Sequence, residues 1–543
     1  MGASSSTDHG PAQSPEQQEE ESLAASTGSL PFLRTSFAKL SSPDSTTIPL
    51  SSLQEALSIN IPNFKSESEL LQVPEKFSEL LSHLGSCITS LFFKTTNEGM
   101  TWVDFLRGFN RCCVTAPVFQ SLNVHYQLFS AMCHEAGIDT KLEFDLGENG
   151  TGKVSGSLKP TQLVMFLSMC WVLMYIARVP RQSKDEKGML VVPDVTHLFN
   201  SALVSAGLVG DDGDVLKVDF SVDDKEIPVQ KLQSWALSTV VGISHSLSQY
   251  MQQKIQSCAA SEENAGESAS ASDSITENYD TNTNLLTRGR AWAVSLSLRG
   301  ASRDQLMNAS FIGMDNDDLL YRSSLHGKGL SRFWSNVEGY TGPILLLISA
   351  SLSNSSDADN RPSNKWIIGV LTEQGFENRD TYSGSSAYLF AIDPIFRAFP
   401  PLGKEKNYVY CHLHPTVRVY QANPKPIGLA FGGSLGNERI SLDEDFAKVV
   451  VRHHAVDKTY QPGPLFPSQG FLPSEAEVFE VEVWGLGGES VKRQQDVFKK
   501  RENIFTEQRR KVDLKTFGNW EDSPEKMMMD MVSDPNRVRR EDR

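Results

Sequence analysis

Residues Ile427–Phe446 read IGLAFGGSLGNERISLDEDF, and this stretch decides the fold of the second half of the chain. An apolar run precedes the glycines, and polar and apolar residues alternate behind them, as in a half-buried antiparallel strand. Gly432, Gly433 and Gly436 allow the positive φ that a tight turn requires. The stretch therefore predicts two strands joined by a glycine-rich hairpin turn.

A period of two continues on both sides of this hairpin. Val478–Leu486 reads VFEVEVWGL and Trp292–Leu298 reads WAVSLSL. Both patterns are typical of half-buried antiparallel strands, and we predict a strand at each place. The region over residues 285–488 is therefore expected to be predominantly antiparallel β-structure.

A helical period marks the residues that come before. Phe77, Leu80 and Leu84 illustrate the spacing of three and four that forms one apolar helix face. Leu163–Ala177 is the most apolar run, but its fifteen residues fall short of the roughly 18–20 that a membrane span needs. We predict a helical region over 31–257, with this run as a buried core helix.

Two loops of the helical region resemble degenerate EF-hands. The loop at 93–104 has Phe93 and Thr95 at positions where calcium-binding carboxylates belong, and the loop at 145–156 has Gly156 in place of the bidentate glutamate. A calcium ion needs several oxygen ligands, and both loops offer too few. We expect both to act as helix-pair scaffolding, without a metal.

The composition argues against several classes of function. The chain has 543 residues, 51 Lys and Arg against 67 Asp and Glu, and a formal net charge of −16. We expect no nucleic-acid partner, since phosphate contacts need clustered positive charge. The seven cysteines are never spaced C-x-x-C, which argues against a structural zinc site and favours a reducing, cytoplasmic compartment. We expect no cofactor.

Composition also sets the domain boundaries. The stretch CAASEENAGESASASDSITENYDTNTN has almost no large apolar side chain. It predicts a linker, where protease should cut first and leave two folded halves. The predicted segments are a disordered N-terminal tail at 1–30, a helical EF-hand-like domain at 31–257, a linker at 258–284, a β-rich domain at 285–488 and a charged helical tail at 489–543.

The first residues, MGASSS, fit the pattern for N-myristoylation, with Gly2 as the acceptor. No apolar segment of a secretory signal follows. One acyl chain anchors a protein only marginally, and the sequence supplies no second signal, because Glu16–Glu21 is acidic and the first cysteine is Cys87. We expect reversible, peripheral membrane association, or association completed by a protein partner.

Six sequence blocks follow one another in the second half of the chain. They are LLYRSSLHGKGLSRFW (Leu319–Trp334), YTGPILLLISA (Tyr340–Ala350), WIIGVLTEQGF (Trp366–Phe376), YSGSSAYLF (Tyr382–Phe390), IGLAFGGSLGNERISLDEDF (Ile427–Phe446) and FEVEVWGLG (Phe479–Gly487).

In this order and spacing, the blocks resemble the TLDc domain family over about residues 285–488. The resemblance implies an α+β fold, with two packed antiparallel sheets and flanking helices behind an all-helical EF-hand-like domain. It also implies a non-enzymatic role in oxidation resistance or growth signalling, and binding to the peripheral sector of the vacuolar proton-pumping ATPase at a lysosome or vacuole. The chain departs from the family pattern at Ser351–Lys365 and in YQPGPLFPSQGFLP from Tyr460.

A serine hydrolase is the alternative function. Gly432–Gly436 reads GGSLG and matches the nucleophile-elbow pattern G-x-S-x-G, with Ser434 as nucleophile and Asp443 and His453 following in chain order. That chemistry needs Ser434 on a strand-to-helix turn beside a base. The residues after Gly436 alternate instead, which favours the hairpin.

Three other candidate groups are weaker. Cys411 is the only thiol of the β-rich region, and burial is the simpler interpretation of it. His453 and His454 are adjacent, so on a strand they point to opposite faces and do not ligate one metal ion. Asp443, Glu444 and Asp445 are either an acidic partner-binding surface or a solvated turn that Asp443 caps.

The C-terminal tail predicts an amphipathic helix. Val491, Phe498, Phe505 and Val512 recur every seven residues, with basic side chains over much of the remaining surface. The apolar stripe either packs on the chain's own β-rich domain or docks in a groove of the partner. Both interpretations hold if the helix packs on its own domain in the free protein and is released to bind the partner. The basic clusters also leave nuclear or nucleolar import open, although acidic residues are interleaved with them.

Overall fold

The structure is a computed structural model, and it describes most of the chain between residues 14 and 518. Residues 526, 528 and 532 are described as well, and the side chains of the last helix are described as far as residue 511. Gly2 lies outside the described residues. So do 1–13 as a whole, 42–46, 62, 69–70, 95–98, 115–116, 146–152, 180–188, 210–224, 261–283, 353–364, 415–423 and most of 519–543.

The N-terminal region is mainly helical, as predicted, but it is not all-helical. Its helices pack on one another through their apolar faces, and short strands between the helices form two small sheets. A parallel pair joins β1 (Phe64–Ser66) to β4 (Leu190–Val192), and β2 (Lys141–Asp145), β3 (Lys153–Leu158) and β5 (Ile227–Pro228) form an antiparallel sheet. The helices are α1 (Pro15–Ser26), α2 (Leu30–Leu40), α3 (Leu50–Ala56), α4 (Phe77–Ser82), α5 (Leu84–Phe92), α6 (Trp102–Cys113), α7 (Val118–Glu135), α8 (Pro160–Arg178), α9 (Thr196–Ala206), α10 (Val229–Thr239) and α11 (Ser246–Ala259).

Helix α8 contains the most apolar run and forms the centre of this region. With 19 residues it is long enough to cross a membrane, but 78% of its apolar window is buried inside the protein. Trp171 stacks on Tyr175 with ring centroids 5.3 Å apart, and both rings contact Phe311. The prediction of a buried core helix is confirmed.

The two EF-hand-like loops differ in structure. Helices α5 and α6 flank the first loop. Met100 in this loop pairs with Ile48, which lies between α2 and α3, in an antiparallel bridge. The bridge thus joins two helix pairs. Strands β2 and β3 flank the second loop, so the helix-pair expectation is wrong there. Gly156 lies in β3, where a Cβ would come within 1.8 Å of the Lys141 carbonyl oxygen. This glycine therefore permits strand pairing.

The C-terminal region is built on one large antiparallel sheet. Its described strands follow the order β11-β10-β8-β7-β16-β15-β14-β13-β12-β9, with β6 paired to β16. The strands are β6 (Leu319–Arg322), β7 (Ile344–Ser351), β8 (Lys365–Thr372), β9 (Arg379–Ser383), β10 (Ala387–Asp393), β11 (Arg397–Phe399), β12 (Val409–His412), β13 (Gly428–Ser434), β14 (Asn437–Leu442), β15 (Lys448–Val451) and β16 (Ser474–Gly485), and the helices are α12 (Arg288–Ser297), α13 (Ala301–Ile312), α14 (Ser323–His326), α15 (Leu330–Val337) and α16 (Gly488–Gly518).

Strand β16 makes this a single curled sheet where the family resemblance implied two. Residues 474–477 of β16 pair with β15, while residues 477–485 pair with β7. The register shifts between Val478 and Glu480, which marks a β-bulge between the two pairings. A bulge bends its strand and increases the local twist. The single hydrogen-bonded sheet therefore curls at this point, and β16 belongs to both parts of it.

The WAVSLSL segment is helical, and the prediction of a strand there is wrong. Its first six residues end helix α12 and Leu298 is the C-cap, and all of the seven except Ser297 are buried. Ser295 and Ser297 donate their hydroxyl hydrogens to the carbonyls of Trp292 and Val294, three residues earlier. Because each serine is satisfied inside its own helix, it does not mark a solvent-facing position as the alternation suggested.

The helical region and the sheet share one hydrophobic core. The cluster that contains α8 continues through α12 and α13 to one face of the sheet, including Leu347, Phe390 and Trp484, while a second cluster fills the other face. Asn200 and Ser201 of α9 donate to the carbonyls of Pro394 and Phe396 at 3.0 and 2.6 Å. The two halves are therefore packed together.

Helix α1 lies within the predicted disordered tail at 1–30, so that prediction is wrong from residue 15 onward, where Glu20 and Glu21 accept hydrogen bonds from Asn110 and Trp102 of α6. The other domain boundaries stay predictions.

Candidate functional site

The last of the six blocks carries two glutamates that organise the start of the C-terminal region. Glu480 accepts a hydrogen bond from the Ser324 backbone N–H at 2.8 Å and another from the Ser323 hydroxyl. Arg322 Nε lies 3.4 Å from Glu480 and 3.6 Å from Glu482. The first and last blocks therefore meet in a buried ionic cluster.

Glu482 is fully buried and holds the residues that follow the predicted linker. Its carboxylate accepts the backbone N–H groups of Leu285 and Leu286 at 2.8 and 3.3 Å and the Trp484 indole N–H at 3.0 Å. Burial raises the pKa of Glu482, and these hydrogen bonds partly offset that rise. The role of the block is structural, because its acidic side chains are used inside the fold.

The LDEDF turn packs on the first block. Asp443 accepts the backbone N–H groups of Ala447 and Lys448 at 2.8 and 3.1 Å. It therefore caps its own turn, which is one of the two interpretations that the sequence allows. The carbonyl of Glu444 accepts the N–H of Leu330, the first residue of α15. Glu444 and Asp445 have exposed side chains, with Glu444 Oε2 3.2 Å from His414 Nε2. Their role as an acidic partner-binding surface stays a prediction.

The residues of the hydrolase alternative lie in three separate settings. Ser434 pairs with Asn437 across the turn between β13 and β14, and its side chain is exposed. The predicted hairpin is confirmed, so Ser434 is not on a strand-to-helix turn. Asp443 caps its own turn, and the His453 ring stacks on Phe471 with centroids 4.6 Å apart.

A buried ion pair between Arg439 and Asp457 supports the neighbouring loop. Arg439 Nη1 donates to Asp457 at 2.6 Å and to the Gln461 carbonyl at 2.8 Å, while Nη2 donates to the Gly463 carbonyl at 2.8 Å. The guanidinium also lies over the Phe399 ring. The sequence pattern does not reveal this pair, because an arginine in an alternating strand is expected to face solvent.

The remaining candidates from the sequence are Cys411 and the histidine pair. Cys411 is buried, and burial raises the pKa of its thiol to about 12, which keeps it protonated. His454 Nδ1 lies 3.8 Å from Asp457 Oδ2, whose second partner is Arg439. Within the part of the chain that the structure describes, His, Cys, Asp and Glu side chains form no group of three that could hold a metal ion.

The predicted amphipathic helix is present as α16, and its first turns dock on the chain's own sheet domain. Gln495 is fully buried and donates to the carbonyls of Asn336 and Glu338 at 2.9 and 3.1 Å. Lys499 donates to the Asn336 carbonyl at 2.8 Å. These carbonyls lie at the end of α15, where a helix has unpaired acceptors and favours a cation.

The apolar stripe of α16 is divided between two environments. Val491 is half-buried and packs beside Gly342 and Gly487, and the Phe498 ring lies so close to Gly339 that a Cβ there would be 2.3 Å from it. Phe505 is 55% exposed and Ile504 is 54% exposed. Every described side chain from 500 to 511 is exposed, and Val512 lies in the helix with its side chain outside the described residues.

Comparison with known proteins agrees with the block pattern. Residues 303–487 match the family model described as the TLDc domain. The chain is 26% identical over 202 residues to Restriction of telomere capping protein 5 of Fusarium vanettenii, which covers 32% of this chain and 33% of that protein. It is 23% identical over 238 residues to the protein of the same name in Kluyveromyces lactis, covering 37% and 42%.

The chain thus spans about a third to two fifths of the length of these curated relatives. The matched region contains the curled sheet, helices α14 and α15 and the six blocks. Residues 303–487 thus form a TLDc domain, and through it the chain is distantly related to Restriction of telomere capping protein 5.

Proposed function

We propose that this protein is a non-catalytic interaction protein that binds the peripheral sector of the vacuolar proton-pumping ATPase through the free half of α16, residues 500–511. Oxidative-stress resistance or growth signalling at the lysosome or vacuole would follow from that binding. The choice of this partner rests on the resemblance to the TLDc family. The choice of the binding segment rests on the division of α16 into a docked half and a free half.

The docked half supplies a rigid base. Gln495 and Lys499 occupy the carbonyls at the end of α15, so the direction in which the helix leaves the domain is fixed. A helix held at one end loses less conformational entropy when the other end binds than a free peptide does. The described part of α16 therefore presents residues 500–511 in a form ready to bind.

The free half has the chemistry of a helix that docks in a groove. Ile504 and Phe505 are adjacent apolar side chains on an otherwise polar surface, where an exposed aromatic is a candidate anchor. The basic residues around them are Lys500, Arg501, Arg509, Arg510 and Lys511, against the acidic Glu502 and Glu507. An acidic groove with an apolar floor is the complementary partner surface.

The experiment changes the free half alone. Ile504→Ala with Phe505→Ala keeps the helix propensity and removes the apolar bulk, so we expect at least about a tenfold loss of affinity for the purified ATPase peripheral sector. The matched control is Thr506→Ala with Gln508→Ala on the same exposed turn. Phe498 is unsuited to this test, because its ring packs on Gly339 and its loss would also loosen the docked half.

Equal binding by the wild type and the Ile504/Phe505 variant would contradict the assignment of the helix. The exposed pair Glu444 and Asp445 would then become the next surface to change. Circular dichroism and thermal unfolding of each variant establish that a loss of binding does not come from a loss of fold.

A further inference from the structure

The loop Tyr460–Pro473, YQPGPLFPSQGFLP, is a departure from the family pattern that the proposed function does not use. It contains no charged side chain, although charged residues make up 22% of the chain. We name it the apolar loop. The exposed residues of this loop can therefore leave water without the cost of desolvating an ion.

The inner half of the apolar loop is held rigidly. Leu465 and Phe466 are buried, and the Phe466 ring stacks on Trp366 with centroids 5.1 Å apart. Gln469 accepts the Leu465 backbone N–H at 2.6 Å, and Arg439 binds the carbonyls of Gln461 and Gly463. These contacts fix the conformation of the inner half of the loop. The tip, around Phe471 and Leu472, lies outside the core.

The tip of the apolar loop exposes large apolar side chains. Phe471 is 68% exposed and Leu472 is 81% exposed, and the Phe471 ring stacks on His453. Val456, three residues beyond His453 on the adjoining loop, is 82% exposed. These three side chains project from two adjoining loops, and they are among the most exposed large apolar residues of the described chain.

We propose that Val456, Phe471 and Leu472 form a membrane-contact site, which inserts into the interfacial region of a lipid bilayer. Two features favour a bilayer over a protein. Three side chains supply far less area than the roughly 800 Å² per partner of a stable protein interface. An exposed, uncharged tip also suits the lipid interface, where a few apolar side chains insert beside polar headgroups.

The charge around the tip favours the same occupant. His453, His454 and Lys458 lie on the adjoining loop, and the one acidic residue between them and Tyr460 is Asp457, which is neutralised by Arg439. Lys458 is exposed and pairs with Glu405 at 2.9 Å. Asp457 and Lys458 are therefore both compensated by a partner of opposite charge, and burial lowers the pKa of His453, which keeps its ring neutral at pH 7. Insertion of the tip beside lipid headgroups thus desolvates no uncompensated charge among these residues.

The membrane-contact site supplies a second anchor beside the acyl chain expected at Gly2. A single acyl chain at Gly2 gives only marginal membrane binding, and stable anchoring takes two signals. This inference is independent of the ATPase proposal.

The test measures vesicle binding by the full-length protein, acylated at Gly2 by co-expression with an N-myristoyltransferase and verified by mass. Vesicles of phosphatidylcholine with phosphatidylserine are sedimented with the protein, and the bound fraction gives a partition coefficient. Phe471→Ser with Leu472→Ser should lower that coefficient by at least about tenfold, since two apolar insertions are lost. Ile312→Ser with Leu325→Ser is the matched control, because these residues are 71% and 70% exposed elsewhere on the surface.

Three outcomes would overturn the proposal. The Phe471/Leu472 variant could bind vesicles as the wild type does, or both variant pairs could lose binding equally. The wild type could instead self-associate through the tip, shown by a dimer in sedimentation velocity that the Phe471/Leu472 variant lacks. Because no ATPase is present in the vesicle assay, its failure leaves the proposed function untouched, and a failure of the ATPase assay leaves this site untouched.

Discussion

Asp457→Ala is expected to destabilise the C-terminal region by roughly 3–5 kcal/mol, the usual cost of removing one partner of a buried ion pair. Asp457 and Arg439 have side chains that are 1% and 0% exposed, so the remaining guanidinium cannot be solvated without opening the loop. Arg439 Nε already lacks a hydrogen-bond partner among the described residues, which leaves no spare acceptor for the freed group.

The pH dependence of Asp457 gives an independent value for the free energy by which its carboxylate stabilises the fold. Burial alone would raise the pKa of Asp457, but hydrogen bonds from His454, the Tyr460 backbone and Arg439 outweigh it and lower the pKa from 3.8 to about 2. A carboxylate whose pKa is lower in the folded state stabilises the fold above its unfolded pKa. This contribution, about 2 kcal/mol, is fully present above pH 4 and is lost as the pH falls towards 2.

The assay is urea-induced unfolding of the full chain, followed by tryptophan fluorescence at pH 7 and at pH 3. Asp457→Asn serves as the graded variant, since an amide oxygen still accepts the Thr459 and Tyr460 N–H groups that Asp457 binds at 2.8 and 3.0 Å. The double change Arg439→Leu with Asp457→Leu should recover part of the loss, because no isolated charge remains buried. A loss below about 1 kcal/mol for Asp457→Ala would refute the reasoning, since the pair would then be no stronger than an exposed one.

Three further outcomes are expected. Protease should cut within residues 258–284, and the two fragments should elute together in size-exclusion chromatography, because the core of α8 continues into the sheet; separation of the fragments would contradict the shared core. A fluorophosphonate probe should leave the protein unlabelled, since Ser434 lies on a hairpin, whereas stoichiometric labelling that is lost in Ser434→Ala would support the hydrolase. Gly2→Ala should shift the protein from the membrane pellet to the soluble fraction, and unchanged fractionation would mean that acylation at Gly2 does not contribute.

Several features were determined by the sequence alone, because their signals are local. The GGSLG turn needs positive φ at Gly432, Gly433 and Gly436, and the structure has all three there. The continuous apolar run in α8 is too long for an ordinary strand, and the seven-residue stripe in α16 repeats a helical pattern over several turns. Length and periodicity are local signals that do not depend on the neighbouring elements, so both helices were predicted correctly.

Tertiary structure decided the features whose signals are ambiguous or non-local. WAVSLSL fits a strand as well as a buried helix, and only the apolar surroundings of α12 separate the two. Arg439 and Asp457 are 18 residues apart, and only the folded loop brings them to 2.6 Å. Phe498 and Phe505 occupy equivalent positions in one sequence repeat, yet one packs on Gly339 and the other faces solvent. Burial is a property of what the rest of the chain places beside a side chain, and the sequence of a single segment does not contain it.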